Sequence, residues 1–171
     1  HFVTRWWVAG TAQEVSDVLG DAKTLPAWWP SVYLHVRVVE PGDADGIGRV
    51  LDVYTKGWLP YTLRWRLTVT EPVSPQGFAV AAAGDFVGTG VWTFTQHGPE
   101  VEVLYDWRIR ANKALLKRLT WLMRPMFCAN HLWAMKRGEE SLVLELRRRR
   151  GVAVGSPPGP TFARLTKQPT G

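Results

Sequence analysis

From Tyr61 to Thr70 apolar and polar residues alternate without a break: Tyr61, Leu63, Trp65, Leu67 and Val69 on one side, Thr62, Arg64, Arg66, Thr68 and Thr70 on the other. That period of two predicts a strand with one dry and one wet face. Phe2 to Val8, Val32 to Val39, Arg49 to Thr55, Phe78 to Ala83 and Phe86 to Thr95 read as further strands. The last strand sets Val101, Val103, Tyr105, Trp107 and Ile109 against Glu102, Asp106, Arg108 and Arg110. Pro41-Gly-Asp-Ala-Asp-Gly, the 56–60 loop, Gly84-Asp85 and His97-Gly-Pro supply the turns. Glycines 88 and 90 inside a strand predict a bulge or sharp bend.

Thr11-Ala-Gln-Glu14 has the form of a capping box, so a short helix follows to about Leu19, with another turn or two over 21–27. The helical period returns after residue 111. Leu115, Leu119, Leu122, Met126 and Trp133 recur at spacings of three, four and seven, predicting one long helix from an Asn112 N-cap to about Arg149. Pro125 is expected to kink it near residues 121–122. The order is strand, short helices, six antiparallel strands, long helix, which is an α+β fold. A bent sheet must cover its apolar face, and the long helix is the element large enough to do so. Ala79, Ala81, Ala82, Ala83, Gly88 and Gly90 are small, so the closure is expected to leave an internal cavity.

Length and composition fit this picture. The 171 residues suit one domain, taken as 1–150, followed by a Gly- and Pro-rich linker-like tail, 151–171. Ten tryptophans exceed what a core of this size needs, which places some of them on the wall of a cavity. The net charge of +6 is uneven: from Lys113 onward 12 Lys and Arg face three Glu, while residues 1–112 carry −3. Arg147 to Arg150 complement the negative end of the helix dipole before any partner is invoked, and a weak contact with an anionic membrane is the secondary use. No nucleic-acid partner is expected. Cys128 stands alone, no signal peptide or spanning segment is visible, and the expected compartment is cytoplasmic.

The candidate chemistry is sparse. Histidines 1, 35, 97 and 131 lack metal-ligand spacing, there is no G-x-S-x-G elbow, and the glycines at 84, 88 and 90 lack a following Lys and helix. No metal or cofactor is therefore expected. The site residues expected to meet a ligand are Trp58, Tyr61, Leu63, Trp65, Trp92 and Trp107 from the sheet and Leu122, Met126, Asn130 and Trp133 from the helix. Asn130 is expected to point inward as an orienting polar group; His131, about 100° around the helix, is the weaker candidate for acid/base work. Arg64 and Arg66 fall on the wet face, with Asp52 across from them. A register one residue away would turn Arg64, Arg66, Asp52 and Tyr54 into the cavity and favour an enzyme.

Thr11-Ala-Gln-Glu-Val15, Trp29-Pro30, Leu59-Pro60-Tyr61 with Trp65, Gly84-Asp85-Phe86 with Gly88 and Trp92, Tyr105-Asp-Trp107, and Asn130-His131 followed by Met135, Gly138 and Leu142 occur in an order that resembles the START-like (SRPBCC) superfamily, in its polyketide cyclase/dehydrase branch. The resemblance covers 2–149. It implies the helix-grip fold, with a seven-stranded curved sheet around a long C-terminal helix and a deep apolar cavity between them. It also implies a lipid-, sterol- or polyketide-like ligand, and in some members a cyclase, aromatase or dehydratase reaction on a poly-β-ketone.

Overall fold

The computed structural model describes residues 1–111 and 114–162, with the side chains of 1–110 and 125–162. Its elements are β1 (Phe2–Ala9), α1 (Ala12–Leu19), a 3-10 turn (Ala22–Thr24), α2 (Leu25–Trp28), β2 (Tyr33–Glu40), β3 (Val50–Lys56), β4 (Thr62–Val69), β5 (Gly77–Gly84), β6 (Phe86–His97), β7 (Glu100–Ala111) and α3 (Ala114–Arg149). The strands form one antiparallel sheet in the order β1-β7-β6-β5-β4-β3-β2. The helix-grip architecture expected from the sequence is thus the observed one. The Asn112 N-cap lies outside the described residues.

Local chemistry starts and stops these elements as the sequence suggests. Thr11 Oγ1 accepts from the Glu14 amide at 3.2 Å while the Glu14 carboxylate accepts from the Thr11 amide at 2.8 Å, closing the capping box. Gly84 turns the chain from β5 to β6 at φ +123°, a backbone region open to glycine. The register is the one read from alternation: Trp65, Leu67 and Val69 are buried, Arg64 and Arg66 are exposed, and Asp52 pairs with Arg66 at 3.0 Å and Arg37 at 2.7 Å on the outer face.

Two expectations are corrected. β6 pairs with β7 residue for residue through Gly88 and Gly90, so there is no bulge between them. Glycine is needed at residue 90 because a Cβ there would lie 2.6 Å from the Trp107 ring and 2.8 Å from the Tyr105 hydroxyl. Those rings lie across the β6 backbone. The alanines of β5 also do not line the cavity: Ala82 is buried in the core cluster with Phe78, Trp92 and Phe94, and Ala79, outside that cluster, is buried as well.

The long helix is continuous through Pro125. Its gripping face carries Met135, Gly138, Ser141, Leu142, Glu145 and Leu146, which are buried. Gly138 lets the helix press on Trp29, whose ring would be 2.3 Å from a Cβ at that position. At the far end Arg150 binds Glu14 at 2.7 and 2.8 Å and the Ala9 carbonyl at 3.1 Å, tying the helix terminus to the start of α1. This pair holds the Glu14 carboxyl down at about 2, with the Thr11 amide helping. Beyond the helix, residues 152–160 run without regular structure and bring Thr161 and Phe162 back to the end of β3.

Candidate functional site

The cavity lies between the concave sheet and the middle of α3, and holds about 340 Å³. That is at the small end of the range of ligand pockets, roughly 300–1,000 Å³. One wall is an aromatic ladder built by cross-strand pairing. Trp92 and Tyr105 are register partners and stack at 3.9 Å, Tyr105 stacks on Trp107 at 5.4 Å, and Trp65 meets Trp107 at 5.9 Å and Phe86 at 5.1 Å. Trp65 is fixed in turn, because its indole N–H donates to Thr55 Oγ1 at 3.1 Å. Neighbouring rings restrain one another, so the wall holds its shape with no guest present.

The helix supplies the opposite wall through Phe127, Cys128, Asn130, His131, Ala134 and Met135. Asn130 and His131 both reach the cavity. Asn130 Oδ1 accepts from the Leu59 amide at 3.2 Å, and Gly57 is the residue that leaves its amide room, since a Cβ there would sit 2.1 Å from Oδ1. His131 stacks on Phe2 at 4.2 Å and its Nε2 lies 3.4 Å from Thr4 Oγ1. Burial pushes its imidazole down to about 4, so it is neutral at pH 7.

Of the residues singled out from sequence, Tyr61, Leu63, Trp65, Trp92, Trp107 and Asn130 line the cavity. Trp58, Met126 and Trp133 do not. The side chain of Leu122 lies outside those described. Trp58 sits in the loop after β3, where its carbonyl accepts from the Thr161 hydroxyl at 3.3 Å. Trp133 is half-buried with the Arg137 guanidinium 5.8 Å from its ring. The stripe of large apolar residues Met126 and Trp133 is not the buried face; that face pairs Met135, Leu142 and Leu146 with small residues, among them Gly138, which makes room for Trp29.

Sequence reading missed Trp29, Tyr33 and Lys56 on the wall, and left Tyr105 out although its alternation with Trp107 pointed inward. Burial raises the pKa of Tyr33 and Tyr61, and that of Tyr105 well above the ordinary phenol value, so all three hydroxyls keep their protons. Among the described residues the buried Trp29 indole N–H has no hydrogen-bond partner. The phenols on the wall are therefore neutral, and no Asp or Glu is among its described residues. Among the described residues no group of three His, Cys, Asp or Glu side chains is placed to hold a metal ion, and no helix is long and apolar enough to cross a membrane.

Comparison with known proteins agrees with this geometry at the level of the fold. No family model matches the sequence, and no curated protein matches it. Solved structures do. An aromatase/cyclase, Zhui, from a Streptomyces species aligns with a TM-score of 0.67 at 16% identity over 89% of this chain and 98% of that one. A Thermus thermophilus protein gives 0.65 at 16% over 86% and 94%, and a START superfamily protein from Mycobacterium smegmatis gives 0.61 at 15% over 86% and 97%. The chain has the helix-grip fold that these structures share.

Proposed function

We propose that this protein binds a hydrophobic small molecule, lipid-, sterol- or polyketide-like, in the cavity between sheet and helix. The observation that carries the reading is the preformed aromatic ladder of Trp65, Trp92, Tyr105 and Trp107 facing a helix stretch that does not fill the space before it. Each 100 Å² of apolar ligand surface buried there contributes about 2.5 kcal/mol before association costs. The neutral phenols of the wall then favour ligands with oxygen acceptors. Native mass spectrometry of the purified protein tests this. A retained, extractable apolar molecule is the expected result; a bare chain that also takes up no uncharged naphthyl dye is the result against it.

A second reading, a cyclase, aromatase or dehydratase acting on a poly-β-ketone, draws support from the aromatase/cyclase likeness and from His131 on the wall. It is the weaker one. Arg64 and Arg66, which a register shifted by one residue would have turned toward a ketone, are exposed on the outer face. A base at about 4 is also poorly matched to proton abstraction at neutral pH unless the substrate raises it. Turnover of a poly-β-ketone analogue that vanishes in His131→Gln, while binding persists, would establish it.

A further inference from the structure

We infer that the C-terminal tail is a strap that latches the loop between β3 and β4, so that release of Thr161 frees this part of the cavity wall and the tail sets how fast a guest enters and leaves. The inference rests on the binding reading above and adds to it a control on access.

The loop, residues 57–61, puts Gly57 and Tyr61 on the cavity wall. Among the described residues it makes no backbone–backbone hydrogen bond. Two side chains hold its backbone instead. Asn130 Oδ1, on α3, accepts from the Leu59 amide at 3.2 Å, and the Thr161 hydroxyl lies 3.3 Å from both the Gly57 and Trp58 carbonyls. The other turn on the wall, 29–32, is tied by backbone: the Val32 and Tyr33 amides donate to the Trp29 carbonyl at 3.2 and 3.0 Å, and the Lys56 amide to the Val32 carbonyl at 2.9 Å. Apart from His1, the rest of the described wall is strand or helix. The 57–61 loop is therefore the stretch of wall that can move without breaking a ladder or a helix.

The tail is tied at its two ends. Behind α3 the Gly151 and Val152 amides donate to the Arg148 and Arg147 carbonyls, each at 3.0 Å. From Ala153 to Pro160 no hydrogen bond is made among the described residues, and then Thr161 docks. Pro157, Pro158 and Pro160 keep this stretch extended and stiff, which makes it a strap and not a slack linker. Docking is close. Lys56 stands on the outer face of β3 with Asp52 and Tyr54, yet it is 3% exposed, because its ammonium donates to the Thr161 carbonyl and the Phe162 ring lies 5.4 Å from the nitrogen. The docked state carries two local costs. Among the described residues the buried ammonium is answered by one carbonyl and one ring, and Phe162 holds φ +52°, a left-handed backbone that a bulky side chain rarely adopts. Undocking relieves both, so the contact is built to let go.

The test uses the full chain and two readouts, hydrogen exchange at the Leu59 amide and stopped-flow release of N-phenyl-1-naphthylamine. Thr161→Val keeps the side chain's shape and removes the hydroxyl. It is expected to speed both Leu59 exchange and dye release by about three- to ten-fold, the effect of losing one modest hydrogen bond. The Val103 amide in β7 is expected to exchange at the parent rate, and the equilibrium affinity for the dye to change by less than about two-fold. Thr161→Ser, which keeps a hydroxyl, is expected to match the parent in both readouts. The strap is overturned if Leu59 exchange is unchanged in Thr161→Val, if Val103 speeds up with it, if Thr161→Ser is as fast as Thr161→Val, or if dye release stays at the parent rate while Leu59 quickens. Failure of the dye to enter the parent overturns the binding reading instead, and the Leu59 amide still decides whether Thr161 holds the loop.

Discussion

At the scale of single residues, the charge state of His131 is a consequence of where the helix puts it. The imidazole stays neutral down to about 4 in the folded protein but takes a proton near 6.5 when unfolded. Its contribution is therefore whole above about pH 6.5 and is lost as the pH falls from there toward about 4, because the unfolded chain binds a proton that the native state refuses. The loss is at most about 3 kcal/mol, less what relaxation and water entry recover. Urea unfolding of His131→Phe between pH 7 and pH 4 should show a flatter profile than the parent, and parallel profiles would contradict the burial argument. Gly138 makes a second case in which two effects compete. Alanine gains roughly 1 kcal/mol of helix propensity over glycine, but its Cβ would press to 2.3 Å on the Trp29 ring, itself 3% exposed and unable to swing away. Overpacking costs about 1–3 kcal/mol. Gly138→Ala should therefore lower the melting temperature; a rise would mean that the helix floats further from Trp29 than described.

At the scale of elements, what clamps α3 to the sheet is apolar burial more than charge. Leu142 is fully buried, so Leu142→Ala should cost about 2–5 kcal/mol. The Arg150–Glu14 pair is more than one-third exposed on both sides, so Arg150→Ala should cost about 1 kcal/mol or less in the same denaturant series. The reverse ranking would move the grip from the core to the ends. The same elements show what the sequence could reveal. Alternation in β4 and β7 told inside from outside correctly, because one face of an antiparallel sheet is dry and the pattern records it. The helix was harder. The stripe through Met126 and Trp133 misses the buried face, where Met135, Leu142 and Leu146 are interspersed with Gly138, Ser141 and Glu145, and that mixture weakens the hydrophobic signal. Gly88 and Gly90 read as bulge positions; Gly90 instead lets Tyr105 and Trp107 lie over β6, and Gly88 lets the β7 backbone at Arg108 and Ile109 come close, facts held by the partner strand and not by the glycines. Lys56 was illegible because its cover comes from Thr161 and Phe162, more than a hundred positions away.

At the scale of the whole molecule, charge and cavity separate. The basic end of α3 is largely committed: Arg148 and Arg149 pair with Glu145, and Arg150 with Glu14. Any attraction to an anionic membrane through Arg147 to Arg150 should therefore be slight. Co-sedimentation with anionic vesicles is expected to be weak at low ionic strength and lost near 0.15 M salt, where the screening length is about 8 Å. Persistent binding at that salt would point to a surface use that the ion pairs do not suggest. The proposed binding site lies instead in the interior, where an aromatic wall and the helix border a cavity of about 340 Å³. The measurement that bears on this most directly fills that space. Ala134 lines the cavity from the helix, and Ala134→Trp would put an indole where a guest would lie. The account predicts that this variant melts near the parent's temperature and takes up no N-phenyl-1-naphthylamine, while the parent binds the dye with saturable fluorescence. Undiminished uptake by a folded Ala134→Trp would contradict it.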